Sequence, residues 1–325
     1  MRFHNLTVSA ARWADRVGLR ALFPAAARRR MHVAKKWLFR QPLHLTFGHR
    51  AGNGTPVYLI VVGEPFADWV PVLTASETWQ DLPSVVEVVV VLDDLAVRSL
   101  PRPKIPGSRT VVLPLREEAI SSCPPSLGLY PDARAVETLC DKRRFAEYMT
   151  ENGLLDLCPT NYSRPQDIRL PCIVKRTRGL HRTRVVHTSV ELDALLANEA
   201  LDPDHFALQE FIPGDADYTT HAIVKNGRLL WSSTLRFVKD GETRFGLEFK
   251  TMEPFPSPPS VLEAAERILC PLDYSGPCNV DYTIRESGQA AVFEINPRFG
   301  GSMFLPQNRL LLKQALTCLI ENAIK

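Results

Sequence analysis

The sequence predicts an α/β protein made of several lobes, and two apolar runs with a helix-compatible stretch between them indicate this first. Val57–Val62 and Val85–Leu92 are nearly continuous apolar runs, which is typical of parallel strands buried on both faces. Together with Thr110–Leu113 and the helix-compatible stretch Trp69–Trp79, they predict a small α/β lobe. The chain has 325 residues, 45% of them apolar, which suits two compact domains or one large multi-lobed domain.

The second half of the chain predicts α+β lobes, because helical patterns and β-rich segments alternate there. Asp132–Asn152 has apolar residues close to helical spacing, and Gly153 stands where such a helix would stop. The remaining predicted elements are strands at Cys172–Arg176, Arg184–His187, Phe206–Ile212, Tyr218–Val224 and Leu229–Phe237, helices at Ser189–Asn198 (capping box Thr188 and Glu191) and Val261–Leu269 (capping box Ser260 and Glu263), and a C-terminal helix at Leu305–Ile324.

Charge is distributed unevenly along the chain. Residues 1–50 hold 11 Arg and Lys and one acidic residue, Asp15, whereas the remainder holds 28 basic and 35 acidic residues. This basic arm is compatible with amphipathic helices, and four roles stay open: peripheral contact with an anionic membrane, binding of a polyanionic substrate, packing on the first lobe or the acidic body, and an Arg-rich targeting segment. Its aromatic residues are too sparse to predict nucleic-acid binding.

Several protein classes are excluded by what the sequence lacks. No apolar run approaches the roughly 20 residues that span a bilayer, and no apolar core of a secretory signal is visible. The seven cysteines form no C-x-x-C pair, which argues against a disulfide framework or a zinc site. We therefore expect a cytoplasmic protein with reduced thiols and no transmembrane segment.

The most informative segment is the predicted hairpin within Gly276–Ser302. If Ser287-Gly288 forms its two-residue loop, Asp281 faces Glu294 directly, and like charges so placed are destabilising. The same register places Asn279 opposite Asn296, Val280 opposite Ile295, Tyr282 opposite Phe293 and Ile284 opposite Ala291. A divalent cation with oxygen ligands would compensate the two acids. The alternative is a solvated hairpin whose acids never meet, since a one-residue slip would put them on opposite faces.

The sequence VFEINPRFGGS that closes this hairpin resembles the metal-binding end of the ATP-grasp superfamily. The resemblance extends over about residues 126–325 and is closest to carboxylate–amine ligases and carbamoyl-phosphate-synthetase-like proteins. It implies an ATP-grasp fold preceded by a small Rossmann-like lobe. The implied division is a basic extension (1–52), the preceding α/β lobe (53–125), the ATP-grasp small lobe (126–212) and the large lobe with the metal site (213–325).

The resemblance also implies a site for two magnesium ions, or manganese in their place, with Asp281, Glu294 and Asn296 as ligands. Arg298, which follows N-P, would hold the transferred phosphate or a substrate carboxylate, as its planar fork allows; a structural ion pair is the alternative. In "CIVKR", Lys175 would reach the α- and β-phosphates, so Arg298 and Lys175 are the catalytic candidates.

Further nucleotide contacts follow from the same resemblance. In "DKRRF", Lys142 would lie near the phosphates. In "LQEFIPG", Glu210, Phe211 and Ile212 would line the adenine pocket through backbone groups, although the two apolar residues also suit a core. The carboxylate of Asp217 would accept hydrogen bonds from the ribose hydroxyls. The chain departs from the family in its phosphate flap, RTRGLHRTRV, which is rich in arginine and has a single glycine.

The function implied is an ATP-dependent carboxylate–amine ligase that acts on small molecules through an acyl phosphate and releases ADP. Two alternatives stay open: a phosphotransferase that stops after phosphorylating its acceptor, and a non-catalytic nucleotide-binding module. A homodimer is also left open.

Overall fold

The computed structural model describes most of the chain, with gaps at the N-terminal arm and at several internal segments. The basic arm as far as residue 41 and the Arg-rich flap at 177–183 lie outside the described residues. The described residues are 42–47, 55–63, 65–66, 68–91, 102–162, 164–176, 184–198, 206–239 and 249–324.

The first sheet confirms the parallel strands predicted from the valine-rich runs. Its strands are β1 (Leu43–Thr46), β2 (Val57–Val62), β3 (Val85–Val91) and β4 (Arg109–Pro114), in the spatial order β1-β3-β2-β4. Strand β2 pairs in parallel with both β3 and β4, and every residue of β2 is buried. Such strands need apolar side chains on both faces, which explains the uninterrupted apolar run.

Two predictions for this lobe are corrected. The stretch Trp69–Trp79 forms two short helices, α1 (Val70–Leu73) and α2 (Ser76–Trp79), because Ala75 between them is extended. The predicted N-terminal extension included residues 43–46, but these form β1, which pairs antiparallel with β3. Leu43 and Leu45 pack against the lobe's core, which gives this segment a reason to join the sheet.

A second sheet of four antiparallel strands lies in the predicted small lobe. Its strands are β5 (Asn161–Tyr162), β6 (Cys172–Arg176), β7 (Arg184–Val186) and β8 (Phe206–Glu210), in the order β5-β8-β6-β7. Helix α6 (Ser189–Asn198) begins with the predicted capping box: the Glu191 carboxylate accepts hydrogen bonds from the backbone of His187 and Thr188, and Thr188 Oγ1 accepts one from the Glu191 backbone.

The central sheet has five antiparallel strands and carries the predicted hairpin. Its strands are β9 (Ala216–Lys225), β10 (Arg228–Lys239), β11 (Phe249–Phe255), β12 (Gly276–Ile284) and β13 (Ala290–Asn296), in the order β11-β10-β9-β12-β13. The helices are α3 (Glu117–Ile120), α4 (Ala133–Cys140), α5 (Lys142–Glu151), α7 (Pro259–Leu269) and α8 (Arg309–Ala323). Helices α4, α5 and α7 cover one face of this sheet and form a large apolar core with it. The other face of the sheet packs in part against α8 through Ile223 and Trp231, and Asp281 lies on this second face, outside the core of α4, α5 and α7.

Three helix boundaries differ from the predictions. The helix predicted over Asp132–Asn152 divides into α4 and α5, because Asp141 is extended and its carboxylate caps α5. Ser260 does not cap α7; its hydroxyl donates to the Gly288 carbonyl instead. Helix α8 starts at Arg309, since residues 301–304 and 306–308 form two 3₁₀ turns. Gly153 stops α5 as predicted, with φ +65°.

The apolar cores cut across the predicted lobe boundaries, which stay predictions. Helices α4 and α5, assigned to the small lobe, pack on the central sheet. Helix α8, assigned to the large lobe, packs on the first sheet through Leu312, Leu316 and Leu319. All seven cysteines are free thiols. No helix among the described residues has the length and apolar character needed to cross a membrane.

Candidate active site

The two carboxylates of the hairpin lie side by side, as the predicted register requires. Asp281 pairs with Glu294, and Asn279 pairs with Asn296. Nearer the turn the pairing differs from the prediction: Tyr282 is opposite Val292 rather than Phe293, and Ile284 is opposite Ala290 rather than Ala291.

Two irregularities explain why the observed pairs near the turn differ from the predicted ones. Their effects on the strand register cancel beyond the second irregularity. The loop has three residues, 286–288, with Arg285 and Gln289 joined by a backbone hydrogen bond and Gly288 at φ +81°. That extra loop residue shifts the pairing by one. Phe293 then forms a β-bulge, because two residues of β13 stand opposite one position of β12. The bulge restores the register beyond it, so the acids meet.

Hydrogen bonds hold both carboxylates in place. Asp281 is 8% exposed, and its Oδ1 accepts from Thr219 Oγ1 at 2.6 Å. Its Oδ2 accepts from the amide nitrogens of Asn279 (2.9 Å) and Asn296 (3.2 Å). Glu294 Oε1 accepts from Asn296 at 3.3 Å, and Glu294 Oε2 lies 3.4 Å from Lys142 Nζ. The donors come from β9, β12, β13 and the first turn of α5.

The environment gives the two carboxyl groups opposite pKa shifts. Burial, and then the charge of Glu294, raises the pKa of Asp281 to about 7. Burial also acts to raise the pKa of Glu294, but Lys142 and Lys175 outweigh it and hold that pKa below its ordinary value. Such a pair favours a nearby cation, since neutralising Asp281 with a positive charge relieves the repulsion.

Lys142 and Lys175 line the same small cavity; their predicted contacts with phosphates stay predictions. Lys175 Nζ donates to Gln209 Oε1 at 2.8 Å, and burial lowers the pKa of Lys175 to about 8 although Glu294 acts against this. The cavity encloses about 20 Å³ and its lining also includes Phe145 and Phe293. That is room for about one water molecule, so a polyphosphate enters only if these side chains move apart.

The predicted adenine segment shows a structural role for its carboxylate. Glu210 accepts hydrogen bonds from Arg285 (2.9 and 3.3 Å) and from the backbone and hydroxyl of Thr160. Glu210 thus joins the small lobe to the loop end of the hairpin, where Arg285 lies. Ile212 is buried, and Phe211 is half-buried. Neither these two nor Glu210 lines the cavity described above, and adenine recognition by their backbone groups stays a prediction.

Asp217 lies on the same face of β9 as Thr219, and it has a cationic partner that the sequence did not reveal. Lys239 Nζ is 3.2 Å from Asp217 Oδ1, and the two side chains are 5% and 3% exposed. A ribose hydroxyl would have to share this carboxylate with Lys239. The predicted ribose contact stays a prediction.

Arg298 forms the structural ion pair that the sequence left as an alternative. Its Nε lies 2.7 Å from Glu117 Oε1, its Nη1 donates to the Phe299 carbonyl at 3.1 Å, and its guanidinium lies 5.9 Å from the ring of Trp69. Glu117 belongs to the first lobe, so this contact joins that lobe to the loop after β13. The ion pair fixes the orientation of the Arg298 guanidinium group.

His221 is a site residue that sequence reasoning missed. It is fully buried on β9 beside Asn279, and its Nε2 lies 2.8 Å from Ser302 Oγ. Burial, followed by the charge of Arg298, lowers the pKa of His221 to about 3, so the ring is neutral at pH 7. The strand alternation of Tyr218–Val224 was the available signal, since it puts His221 on the face of Thr219.

Comparison with known proteins identifies the fold. No protein-family model matches the sequence, and no curated protein is significantly similar to it. Solved structures are similar in shape. D-alanine–D-alanine ligase from Bacillus anthracis superposes with a TM-score of 0.56 at 14% identity, over 83% of this chain and 97% of that one. An ATP-grasp ligase, PsnB, complexed with a precursor peptide and AMPPNP, gives 0.54 at 16% identity, over 83% and 99%. The chain has the ATP-grasp fold.

A third ATP-grasp relative in structure is the L-amino acid ligase from Bacillus licheniformis, with a TM-score of 0.55 at 15% identity, over 84% of this chain and 75% of that one. At such identities the likeness establishes the fold and leaves the reaction to be argued from the site. The ATP-grasp fold agrees with the order of motifs along the chain.

The donor set of this candidate site fits a hard divalent cation. Within the described ranges no three His, Cys, Asp or Glu side chains cluster as a metal site, so a cation would use Asp281, Glu294 and Asn296 with oxygens from phosphate or water. Asn279 Oδ1, next to this set, is buried without a hydrogen-bond partner in the described part of the chain. The amide nitrogen of Asn296 faces the acids, and ligation requires its oxygen to turn toward them.

Proposed function

We propose that the protein is an ATP-dependent ligase that joins a carboxylate to an amine and releases ADP and phosphate. The observation that carries the proposal is the opposed pair Asp281 and Glu294, with Lys142 and Lys175 at the adjoining cavity. Two acids and two cations in one partly buried place suit a metal–polyphosphate ligand, whose phosphates need the lysines and whose metal needs the carboxylates.

In the proposed reaction, a carboxylate oxygen of the substrate attacks the γ-phosphorus of ATP, and the bond to the ADP oxygen breaks. The amine nitrogen then attacks the acyl carbon, phosphate leaves with the bonding electrons, and the nitrogen loses a proton. Phosphoryl transfer depends on positioning and charge neutralisation more than on a protein nucleophile. No covalent enzyme intermediate is needed.

Each proposed residue has a role that fits its position. Lys175 holds the α- and β-phosphates, and Lys142 exchanges its ion pair with Glu294 for a phosphate oxygen. Arg298, aligned by Glu117, holds the substrate carboxylate or the transferred phosphate. Magnesium bound by Asp281, Glu294 and Asn296 would neutralise charge on the phosphates.

The similar solved structures support the ligase over other ATP-dependent reactions. Two of them are named as ligases of amino acids, and a third as a ligase complexed with a precursor peptide. Another is an N5-carboxyaminoimidazole synthase in complex with ADP and 5-aminoimidazole ribonucleotide, at a TM-score of 0.51. We propose a small-molecule acid and amine as substrates of this chain on the same grounds.

The test is a screen of carboxylates for ADP release with hydroxylamine as the amine. Formation of a hydroxamate indicates an acyl phosphate and supports the ligase. Glu294→Gln is expected to lose at least about 100-fold in ADP release, because transition-state charge stabilisation is removed. Glu286→Gln, an exposed acid in the loop of the same hairpin, is the matched control and should behave like the parent.

Two outcomes would contradict the proposal. If Glu294→Gln released ADP at the parental rate, the metal-site assignment would be wrong. If ADP release produced a stable phosphorylated product and no hydroxamate, the protein would be a phosphotransferase.

A further inference from the structure

The first lobe has a topological switch point that faces the loop after β13. In the order β1-β3-β2-β4, the chain leaves β2 toward one side and returns as β4 on the other. Ligands of open α/β sheets bind outside the carboxyl ends of the strands at such a point. The segment after β2 carries Phe66, and the segment after β4 carries Arg116. The Arg116 guanidinium lies 5.0 Å from the centre of the Phe66 ring.

Aromatic rings continue from this point toward Arg298. The rings of Phe66 and Trp69 are 5.0 Å apart and meet edge to face, and Trp69 stacks on Phe304 at 4.6 Å. Arg298 lies over the Trp69 ring. Trp69 is only 1% exposed, so the half-buried Phe66 is the ring that a ligand can contact. We call this set of side chains, made of Arg116, Phe66, Trp69 and Arg298, the Arg116–Arg298 strip.

The two arginines differ in how firmly the protein holds them. Arg298 is paired with Glu117, and the two side chains are only 14% and 19% exposed. Arg116 pairs with Glu118, which is 59% exposed and only two residues away, and exposed pairs of this kind contribute little. In addition, Arg116 Nε is buried and has no hydrogen-bond partner within the described residues. Donors of Arg116 therefore remain for a ligand.

We propose that the Arg116–Arg298 strip is the acid-substrate subsite and that the substrate carries a second, non-reacting anionic group, which Arg116 binds. This inference rests on the proposed ligase function. The reacting carboxylate lies at the Arg298 end, two residues beyond Asn296 and next to the metal-ligand face. A short body that contacts the half-buried Phe66 then brings the second group to Arg116, whose guanidinium lies over that ring. The guanidinium fork recognises a carboxylate or a phosphate there.

The first experiment compares acids with and without the second anion, again with hydroxylamine as the amine. Glutarate, succinate and L-glutamate are paired with glutaramate, succinamate and L-glutamine, and 3-phosphoglycerate tests phosphate against carboxylate. At least one dianionic acid should have a KM about tenfold or more below that of its amide counterpart, because the counterpart lacks the second charged group and loses a charged hydrogen-bonded pair.

Arg116→Gln is then expected to remove this preference. It should raise the KM for the dianionic acid about tenfold or more, leave kcat within about twofold, and leave the KM for the amide counterpart unchanged. Arg267→Gln is the matched control, because Arg267 is a surface arginine whose ion pair with Asp156 lies outside the strip. Equal KM values for both acid classes in the parent, or an unchanged preference in Arg116→Gln, would overturn the inference.

A binding measurement separates this inference from the proposed function. Calorimetric titration of the nucleotide-free protein with the same acids should show binding that Arg116→Gln weakens and Glu294→Gln retains. That result together with no ADP release from any acid would support the subsite and refute the ligase. Binding of the dianionic acids that is equal in the parent and in Arg116→Gln would refute the subsite, whatever the turnover.

Discussion

At the scale of single residues, burial lowers the charged fraction of the Lys175 amine, and an anionic ligand can raise it again. The amine is buried beside Gln209, and burial lowers its pKa to about 8. A polyphosphate next to the amine would favour the charged form and raise the pKa again. Nucleotide binding should therefore be coupled to proton uptake.

We expect binding of a non-hydrolysable ATP analogue at pH 8.5 to take up roughly half a proton or more, because most free protein has a neutral Lys175 there. At pH 6.5 Lys175 is charged before and after binding, so its uptake should vanish. Calorimetry in two buffers of different ionisation enthalpy measures this number. Lys175→Met should abolish the uptake, whereas the exposed Lys250→Met should retain it; equal uptake in Lys175→Met would contradict the assignment.

His221 makes a prediction about stability in acid. Its pKa is about 3 in the folded protein and about 6.5 when unfolded, so the unfolded chain binds the extra proton as the pH falls below 6.5. Stability is therefore lost on acidification through this window, by about 1–2 kcal/mol between pH 7 and pH 5. Urea unfolding at the two values measures it.

His221→Gln is the comparison for that measurement. The variant loses the ionisable ring, so its free energy of unfolding should fall less between pH 7 and pH 5 than that of the parent. Parallel pH dependences in the two proteins would show that His221 does not carry the effect.

At the scale of elements, the division between α4 and α5 places a site residue. Asp141 caps α5 by accepting hydrogen bonds from the backbone of Arg143 and Arg144, and this sets Lys142 as the first residue of the helix. Lys142 then reaches Glu294. The cap is thus part of how the site is built.

Asp141→Ala should lower the free energy of unfolding by about 1 kcal/mol, because the helix loses its N-cap. It should also weaken nucleotide binding, because the backbone of Lys142 at the start of the helix is then held less firmly. Asp132→Ala is the matched control, because Asp132 caps α4 by accepting from the Ala135 backbone and no site residue follows it directly. It should cost similar stability in urea unfolding and leave nucleotide affinity as in the parent. Equal losses of affinity in both variants would point to general destabilisation.

The hairpin shows how much local sequence can predict. The acid pairing was predicted correctly, but only because the three-residue loop and the bulge at Phe293 cancel. Alternating residues fix which side chains share a face, whereas a bulge depends on packing against neighbouring strands. Asp141 carried a signal for the helix break, since Asp is a preferred cap. The contacts Glu117–Arg298 and Asp217–Lys239 had no local signal, because their partners meet only through the fold.

At the scale of the whole molecule, the C-terminal helix α8 belongs to the core of the first sheet. Leu316 is fully buried in one cluster with Val57, Leu59 and Trp79. Leu310, on the same helix, is 68% exposed. The first sheet and α8, which are far apart in the chain, therefore stabilise each other.

Leu316→Ala should lower the free energy of unfolding by about 2–5 kcal/mol, because it leaves a cavity in this shared core. Leu310→Ala should change it by less than about 0.5 kcal/mol. Urea unfolding followed by tryptophan fluorescence measures both, with Trp69 and Trp79 as reporters in the affected core. A loss below about 1 kcal/mol in Leu316→Ala would show that α8 contributes little to the first lobe.

The position of α8 also has a consequence for biosynthesis. Strands β2, β3 and β4 leave the ribosome before the helix that covers one of their faces, because both other sheets lie between them in the chain. Multi-domain chains generally fold from the N-terminus as synthesis proceeds. Here the valine-rich strands of the first lobe stay exposed on one face until α8 has been synthesised. The nascent chain is thus a natural client for chaperones that cover apolar β-strands.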